Sequence, residues 1–229
     1  MTCAPNCPTC AGQGFIRREV PIGHADFGRL FPCPEIEATK LYDFERRGIY
    51  PEDRVTWDDL KAVPGVQRMK AAADELISRG YGWAFFWGGP GQAKSVALKI
   101  IVRQLLESKQ DATYTSMAKI LENLRAVYGE YVDKRETAET RMQRWQSCPV
   151  LAIDEFEKAR DTEFTAEKRF ALVDARYEMN IERKLGITLF ASNRDPQEVD
   201  AYLASRIFDG RCLVVKLEGV DMRPAMEWR

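Results

Sequence analysis

Lys94 and Ser95 close the run Trp87-Gly88-Gly89-Pro90-Gly91-Gln92-Ala93-Lys94-Ser95, which follows the apolar stretch Trp83-Ala84-Phe85-Phe86. Such a run reads as a strand entering a glycine-rich turn that opens a helix, the arrangement that binds nucleoside phosphates. Backbone N–H groups of the turn surround a phosphate, the lysine ammonium reaches the terminal phosphates, and the next hydroxyl ligates Mg²⁺. Gly88, Gly89, Pro90, Gly91, Gln92, Ala93, Lys94 and Ser95 are therefore the expected nucleotide-binding residues, and a plain Gly/Pro turn is the alternative. Ala93 departs from the pattern, standing where its second glycine belongs. Alanine fits if that residue has helical φ and ψ, and fits badly if the turn needs φ above zero.

A second group lies about 60 residues further on, a spacing that suits a strand of the same sheet. Val150-Leu151-Ala152-Ile153-Asp154-Glu155 is an apolar run ending in two carboxylates, as a buried parallel strand delivering acids to its C-terminal edge would be. It has the form of a Walker B segment: Asp154 would hold Mg²⁺, and Glu155 would polarise the water attacking the γ-phosphate. Gly186-Ile187-Thr188-Leu189-Phe190-Ala191-Ser192-Asn193 is a third β-rich run. It ends in an amide suited to sensing the γ-phosphate, with Ser192 able to share the role and an ordinary turn asparagine as the alternative.

Four of the six cysteines, Cys3, Cys7, Cys10 and Cys33, fall near the N-terminus. Cys7-Pro8-Thr9-Cys10 has the two-residue spacing with which two thiolates grip one zinc ion, and Gly12 and Gly14 permit the knuckle behind it. Cys33 supplies a third ligand. Pro34 and Glu35 stand where a second close thiol would be expected, so the fourth ligand is read as Cys3, with His24, the chain's one histidine, as substitute. So short a segment could scarcely fold without the ion, and a disordered tail with free thiols is the alternative. Cys148 and Cys212 read as small core residues.

The elements that must carry these groups alternate. A helix over Val66 to Arg79 precedes the strand Trp83–Trp87. Then come helix Lys94–Ser108, strand Thr113–Ser116, helices Met117–Tyr128 and Thr137–Trp145, strand Val150–Ile153, helix Glu167–Asn180 and strand Ile187–Ala191. Alternation of this kind predicts an α/β fold, a parallel sheet covered by helices with ligands at the strands' C-terminal edge. Only Gln197–Phe208 and a strand near Cys212–Lys216 follow, leaving no room for a full helical lid domain. The expected organisation is a zinc-binding module over 1–36, a linker over 37–55 and the nucleotide-binding domain over 56–229. With 34 Lys+Arg against 35 Asp+Glu the chain lacks the global basicity of a nucleic-acid binder. No apolar run approaches the roughly 20 residues that span a bilayer, no signal peptide is evident, and a cytoplasmic location without membrane partners is expected.

With these residues in place, the chain from about Tyr42 to Arg223 resembles the DnaC/IstB-type AAA+ ATPases, which include bacterial and phage replicative-helicase loaders and transposition ATPases. The resemblance rests on Gly88–Ser95, Ile153–Glu155, Ala191–Asn193, Leu203-Ala204-Ser205-Arg206-Ile207 and Leu217-Glu218-Gly219-Val220-Asp221-Met222-Arg223. It implies a P-loop ATPase using ATP and Mg²⁺, with Glu155, Asn193, Arg206 and Arg223 serving catalysis. Arg206 would reach a neighbouring subunit's nucleotide and Arg223 the phosphate in its own subunit, while Arg176 and Arg211 are reserves for the trans role. An arginine donated in trans contributes roughly 10³–10⁵ in rate, which ties hydrolysis to self-association.

The cysteine-rich N-terminus resembles the partner-binding zinc modules of some helicase loaders, which tilts the implied function toward helicase loading in DNA replication initiation. An IstB-like transposition ATPase on duplex DNA and a nucleotide-binding zinc adaptor without turnover are the competitors. Ala93 points to slow turnover. Loaders of this type also hold single-stranded DNA, and Tyr128, Tyr131, Lys134, Arg135, Arg141, Arg144 and Trp145 interleave aromatics with cations as such sites do. A solvated helix pair, diluted by Glu130, Asp133, Glu136 and Glu139, is the alternative.

Overall fold

The computed structural model describes residues 3, 6–61, 63, 65–128, 137–158, 162–199, 201–219 and 221, with side chains except at 37–42 and 128. They form two compact units, Met1–Glu52 and Asp53–Arg229. In the first unit, strands β1 (Phe15–Arg17) and β2 (Leu30–Pro32) pair antiparallel, and helix α1 (Glu35–Arg46) starts two residues after Cys33. The inward side chain Ile16, with Ile36 of α1, packs against the four buried N-terminal thiols in place of an apolar core.

The second unit alternates strand and helix. Helix α2 (Val66–Arg79) leads into β3 (Tyr81–Trp87), α3 (Lys94–Glu107), β4 (Ala112–Ser116), α4 (Met117–Arg125) and α5 (Ala138–Ser147). Strand β5 (Val150–Asp154), α6 (Glu163–Tyr177), β6 (Gly186–Ser192), the short helices α7 (Pro196–Val199) and α8 (Ala201–Ile207), and β7 (Cys212–Lys216) complete it. The five strands β3 to β7 lie in the order β4-β5-β6-β3-β7, and every pairing is parallel. Central β3, β5 and β6 are nearly continuous apolar runs buried on both faces, as helix-covered parallel strands must be. Among the described residues only α7, α8 and β7 follow β6, and no helical lid is formed.

Side-chain caps set three helix starts: Ser116, Thr137 and Thr162 accept the backbone N–H groups of Lys119, Thr140 and Thr165 at α4, α5 and α6. The Thr162 cap explains why α6 begins at Glu163, ahead of the Glu167 start expected from periodicity. At its other end α6 passes into a π-helical turn, Glu178–Glu182, that turns Asn180 inward. Asn180 Oδ1 accepts from Trp83 Nε1 at 2.9 Å and from Thr188 Oγ1 at 2.6 Å, tying β3 to β6 through their side chains.

Arg176 completes this buried network. Fully buried, it donates to Thr188 Oγ1 at 2.8 Å and to the carbonyl oxygens of Gln146, Cys148 and Ile187. Burial pushes its guanidinium down to about 10, still cationic at neutral pH. A guanidinium enclosed in this way cannot reach another subunit, which corrects its place as a reserve arginine. Truncation strands several buried carbonyls, so Arg176→Ala is expected to lower unfolding free energy by about 3 kcal/mol or more in urea titrations.

Candidate nucleotide and metal sites

The parallel register brings the three motif-bearing strand ends side by side. Trp87 of β3 is opposite Ser192 of β6, and Ile153 of β5 is opposite Phe190, so the loop after β3, Asp154 and Asn193 emerge at one edge. In the loop, Lys94 is the first residue of α3, and its buried ammonium donates to the carbonyl oxygens of Gly88 at 2.8 Å and Gly89 at 2.7 Å. Ser95 follows it, half-buried in the first helical turn, where a helix N-terminus favours anions. The segment after β7 lies against the loop: Gln92 Nε2 donates to Gly219 O at 2.9 Å, and a Cβ on Gly91 would sit 1.7 Å from Asp221 Oδ1. Gly91, at φ 72°, therefore admits no side chain.

Ala93 has φ 59° and ψ 15°. The turn does demand the left-handed conformation, so an L side chain there is strained by roughly 1–2 kcal/mol. Glu155, directly after Asp154, is a second non-glycine residue with positive φ, at 49°. Two backbone positions beside the phosphate loop and the acidic strand end thus store strain.

Asp154 is 5% exposed. Its Oδ1 accepts the Glu155 N–H at 2.8 Å and its Oδ2 accepts the Tyr114 hydroxyl at 2.7 Å, with no cationic side chain paired to it among the described residues. A buried carboxylate held only by neutral donors offers its oxygens to a hard divalent cation beside the phosphate loop. Burial, then the Asp154 charge, push the Tyr114 hydroxyl well above the ordinary tyrosine value, so it remains a donor. Tyr114 is absent from the sequence expectations because no motif marks it; only the β4–β5 pairing brings it to Asp154.

The remaining polar groups also have protein partners. Glu155 pairs with Lys158 at 2.6 Å, and Asn193 Nδ2 donates to Glu157 Oε1 at 2.7 Å, leaving the buried Glu157 Oε2 without a hydrogen bond. Arg206 lies over the rings of Tyr177 at 4.4 Å and Tyr202 at 5.0 Å, donates to Tyr202 Oη at 2.9 Å, and stands 3.6 Å from Asp174 Oδ1. Its side chain remains 35% exposed. Arg211 pairs with Asp209 and Glu182, both at 3.0 Å. Arg223 lies outside the described residues, as do Tyr131, Lys134, Arg135 and the Tyr128 side chain. Of the other residues expected to hold single-stranded DNA, Arg144 is exposed, Arg141 donates to Asn123 O at 2.7 Å, and Trp145 packs on the main hydrophobic core.

In the N-terminal unit the thiol sulfurs of Cys3, Cys7, Cys10 and Cys33 all lie within 4.8 Å of one another, and all four residues are buried. The Gly14 N–H donates to Cys10 Sγ at 3.2 Å, the glycine knuckle that a Cys-x-x-Cys pair requires. His24 stands outside the group, exposed, with Nδ1 accepting the Asp26 N–H. Burial opposes Cys7 ionisation, but backbone N–H groups of Cys10 and Thr9 and the neighbouring thiols outweigh it and bring Cys7 to about 7. Burial drives Cys3 the other way, up to about 12. Four soft ligands so gathered fit one tetrahedral zinc ion.

Two outcomes follow from these geometries. Ala93→Gly relieves the left-handed strain and is expected to stabilise the chain by about 1 kcal/mol in chemical denaturation. Elemental analysis is expected to find about one zinc ion per chain in the unaltered protein and none in the double variant Cys7→Ser/Cys10→Ser.

No family profile and no curated protein matches the chain by sequence. Solved structures do. Domain III of the Thermotoga maritima replication initiation protein DnaA superimposes with a TM-score of 0.58 at 21% identity, over 76% of this chain and 70% of that one. DnaI gives 0.55 at 15% identity, over 73% of this chain and 93% of that chain. AMPPCP-bound DnaA from Aquifex aeolicus gives 0.55 at 22% identity, covering 67% of this chain and 47% of that chain. Against such longer DnaA chains this protein spans under half their length. The parallel five-stranded sheet, the phosphate loop after β3 and these likenesses together show that the chain has the AAA+ fold seen in DnaA and DnaI.

Proposed function

We propose that this chain is an ATP-binding AAA+ protein of replication initiation that loads a replicative DNA helicase. The observation that carries the reading is the convergence of Lys94, the α3 N-terminus and the uncompensated Asp154 carboxylate on one sheet edge, in a fold shared with DnaI over most of that protein's length. Lys94 and the loop N–H groups would hold the phosphates, and Ser95 and Asp154 would hold Mg²⁺, which when bound offsets the phosphate charge. Glu155 would orient the attacking water and Asn193 would report on the γ-phosphate. Arg206, prepositioned by two tyrosine rings and partly exposed, is suited to a neighbour's nucleotide and would make hydrolysis depend on assembly; Arg223 would act within its own subunit.

Partner binding is assigned to the N-terminal unit, with zinc as its structural core and 37–55 as the linker. Around its β1–β2 hairpin Phe15, Ile22, Phe27 and Leu30 are 47%, 88%, 53% and 61% exposed, an apolar surface of the kind that marks protein contacts. A matched DnaA structure is bound to AMPPCP and single-stranded DNA, which supports the same classes of ligand here. No helix among the described residues is long and apolar enough to cross a membrane.

A second reading is favoured by two observations: the strained Ala93 and the Glu155–Lys158 ion pair both oppose fast turnover. On that reading the chain is a zinc-bearing adaptor that binds nucleotide without hydrolysing it. Light scattering of the purified chain mixed with replicative helicase, in ATP or ADP, separates the possibilities. An ATP-dependent complex that Lys94→Ala abolishes is the expected outcome. Self-assembly on duplex DNA without helicase affinity would instead indicate a transposition ATPase, and ATP affinity with no hydrolysis to lose in Glu155→Gln would indicate the adaptor.

A further inference from the structure

Tyr114 has no part in the phosphate loop or the acidic strand end, yet its side chain is built into Asp154. In the β4–β5 pairing Ser116 is opposite Asp154 and Tyr114 opposite Ala152. Alternate residues share a face, so Tyr114 reaches Asp154 diagonally across the strand pair, with its hydroxyl 2.7 Å from Oδ2. The Glu155 N–H fixes Oδ1 from the opposite side at 2.8 Å. The carboxylate is thereby held at both oxygens, with rotation about its last bond arrested.

The phenol is itself held. Lys99 Nζ, on the same helix as Lys94, lies 5.5 Å from the centre of the Tyr114 ring and pairs with Asp53 Oδ1 at 2.6 Å. Arg103, one turn further along α3, donates to the carbonyl oxygens of Asp53 and Val55. The segment 53–55 is thus pinned to α3, and Asp53, Lys99, Tyr114 and Asp154 are linked in turn by an ion pair, a cation–π approach to the ring and a hydrogen bond. Donor chemistry matters here: an arginine or lysine in place of Tyr114 would neutralise Asp154, whereas a neutral hydroxyl orients it and leaves its charge for a cation.

We propose that Tyr114 is a positioning residue for the magnesium carboxylate: its hydroxyl, steadied by Lys99 and Asp53, sets the orientation in which Asp154 meets the metal of the bound nucleotide. This rests on the nucleotide-binding reading above. Mg²⁺ demands near-octahedral geometry and tolerates a misdirected ligand poorly, so the effect of losing the hydroxyl falls on metal affinity rather than on nucleotide contacts made by the loop.

The test uses the full chain and a fluorescent ATP analogue, titrated with Mg²⁺ at fixed nucleotide and, separately, titrated with nucleotide in EDTA. Tyr114→Phe is expected to raise the Mg²⁺ concentration at half-saturation roughly 10-fold, with metal-free nucleotide affinity and melting temperature close to those of the unaltered chain. Unchanged Mg²⁺ dependence would overturn the proposal. So would an equal weakening with and without metal, which marks a general structural defect. Should Tyr114→Phe fail to fold, Lys99→Met takes its place: a raised Mg²⁺ requirement supports the proposal and an unchanged one overturns it. Failure of the underlying reading has a different signature, since the unaltered chain would then bind no nucleotide, or Lys94→Ala would bind it equally well.

Discussion

The placement of the site depends on strand register. Strand β3 is hydrogen-bonded to β6 on one side and β7 on the other, β6 to β5, and β5 to β4, all parallel. Because the strands run the same way, every loop that leaves a C-terminal end leaves at one edge, and every polar residue that terminates a buried run is presented there. Ile153 opposite Phe190 and Trp87 opposite Ser192 put Asp154, Asn193 and the loop before Lys94 at one level. A slip of one residue in β5 would turn Asp154 to the opposite face of the sheet. The buried clamps that resist such a slip are Arg176 and Asn180, which bind β3, β6 and the turn between α5 and β5 through hydrogen bonds with no water to replace them.

Four polar side chains at that edge already have protein partners. Lys94 rests on the carbonyls of its own loop, Asp154 on Tyr114, Glu155 on Lys158 and Asn193 on Glu157. Phosphate offers Lys94 a charged acceptor in place of two neutral ones, and that exchange is favourable. In the roles proposed for them Glu155 would leave a lysine to face a water, and Asn193 would leave a carboxylate whose second oxygen is already orphaned; these exchanges would cost more. On the proposed roles binding would be favoured over turnover, and the left-handed backbone at Ala93 and Glu155 adds strain in the same places.

The N-terminal unit is governed by different physics. With Ile16 and Ile36 packing against four thiols, its centre holds little apolar surface, and an ion bound there would contribute folding free energy through its ligand bonds. Four of its larger apolar side chains, Phe15, Ile22, Phe27 and Leu30, are nonetheless turned outward. Apolar side chains exposed in this way are the surface that the proposed partner-binding role would use.

Much of this was legible in the chain itself. Apolar runs ending in Gly-Pro-Gly, Asp-Glu and Ser-Asn announced three parallel strands and the chemistry at their ends, because burial on both faces forbids alternation and concentrates polar residues at the termini. The cysteine spacing announced a cluster able to hold a metal, and Cys3 rather than His24 joins the other three thiols. What lies between strands was not legible. That Tyr114 meets Asp154, that Glu157 meets Asn193, and that Arg176 is a buried clamp while Arg206 is caged by Tyr177 and Tyr202 all depend on which strands and helices become neighbours. Whether Ala93 is helical or left-handed was equally undecidable from residue type, because the conformation is imposed by a turn anchored to β3 and α3 at its two ends. Local spacing determines which residues can do chemistry; long-range pairing decides what each of them touches, because side chains tens of residues apart meet only once the sheet has set their register.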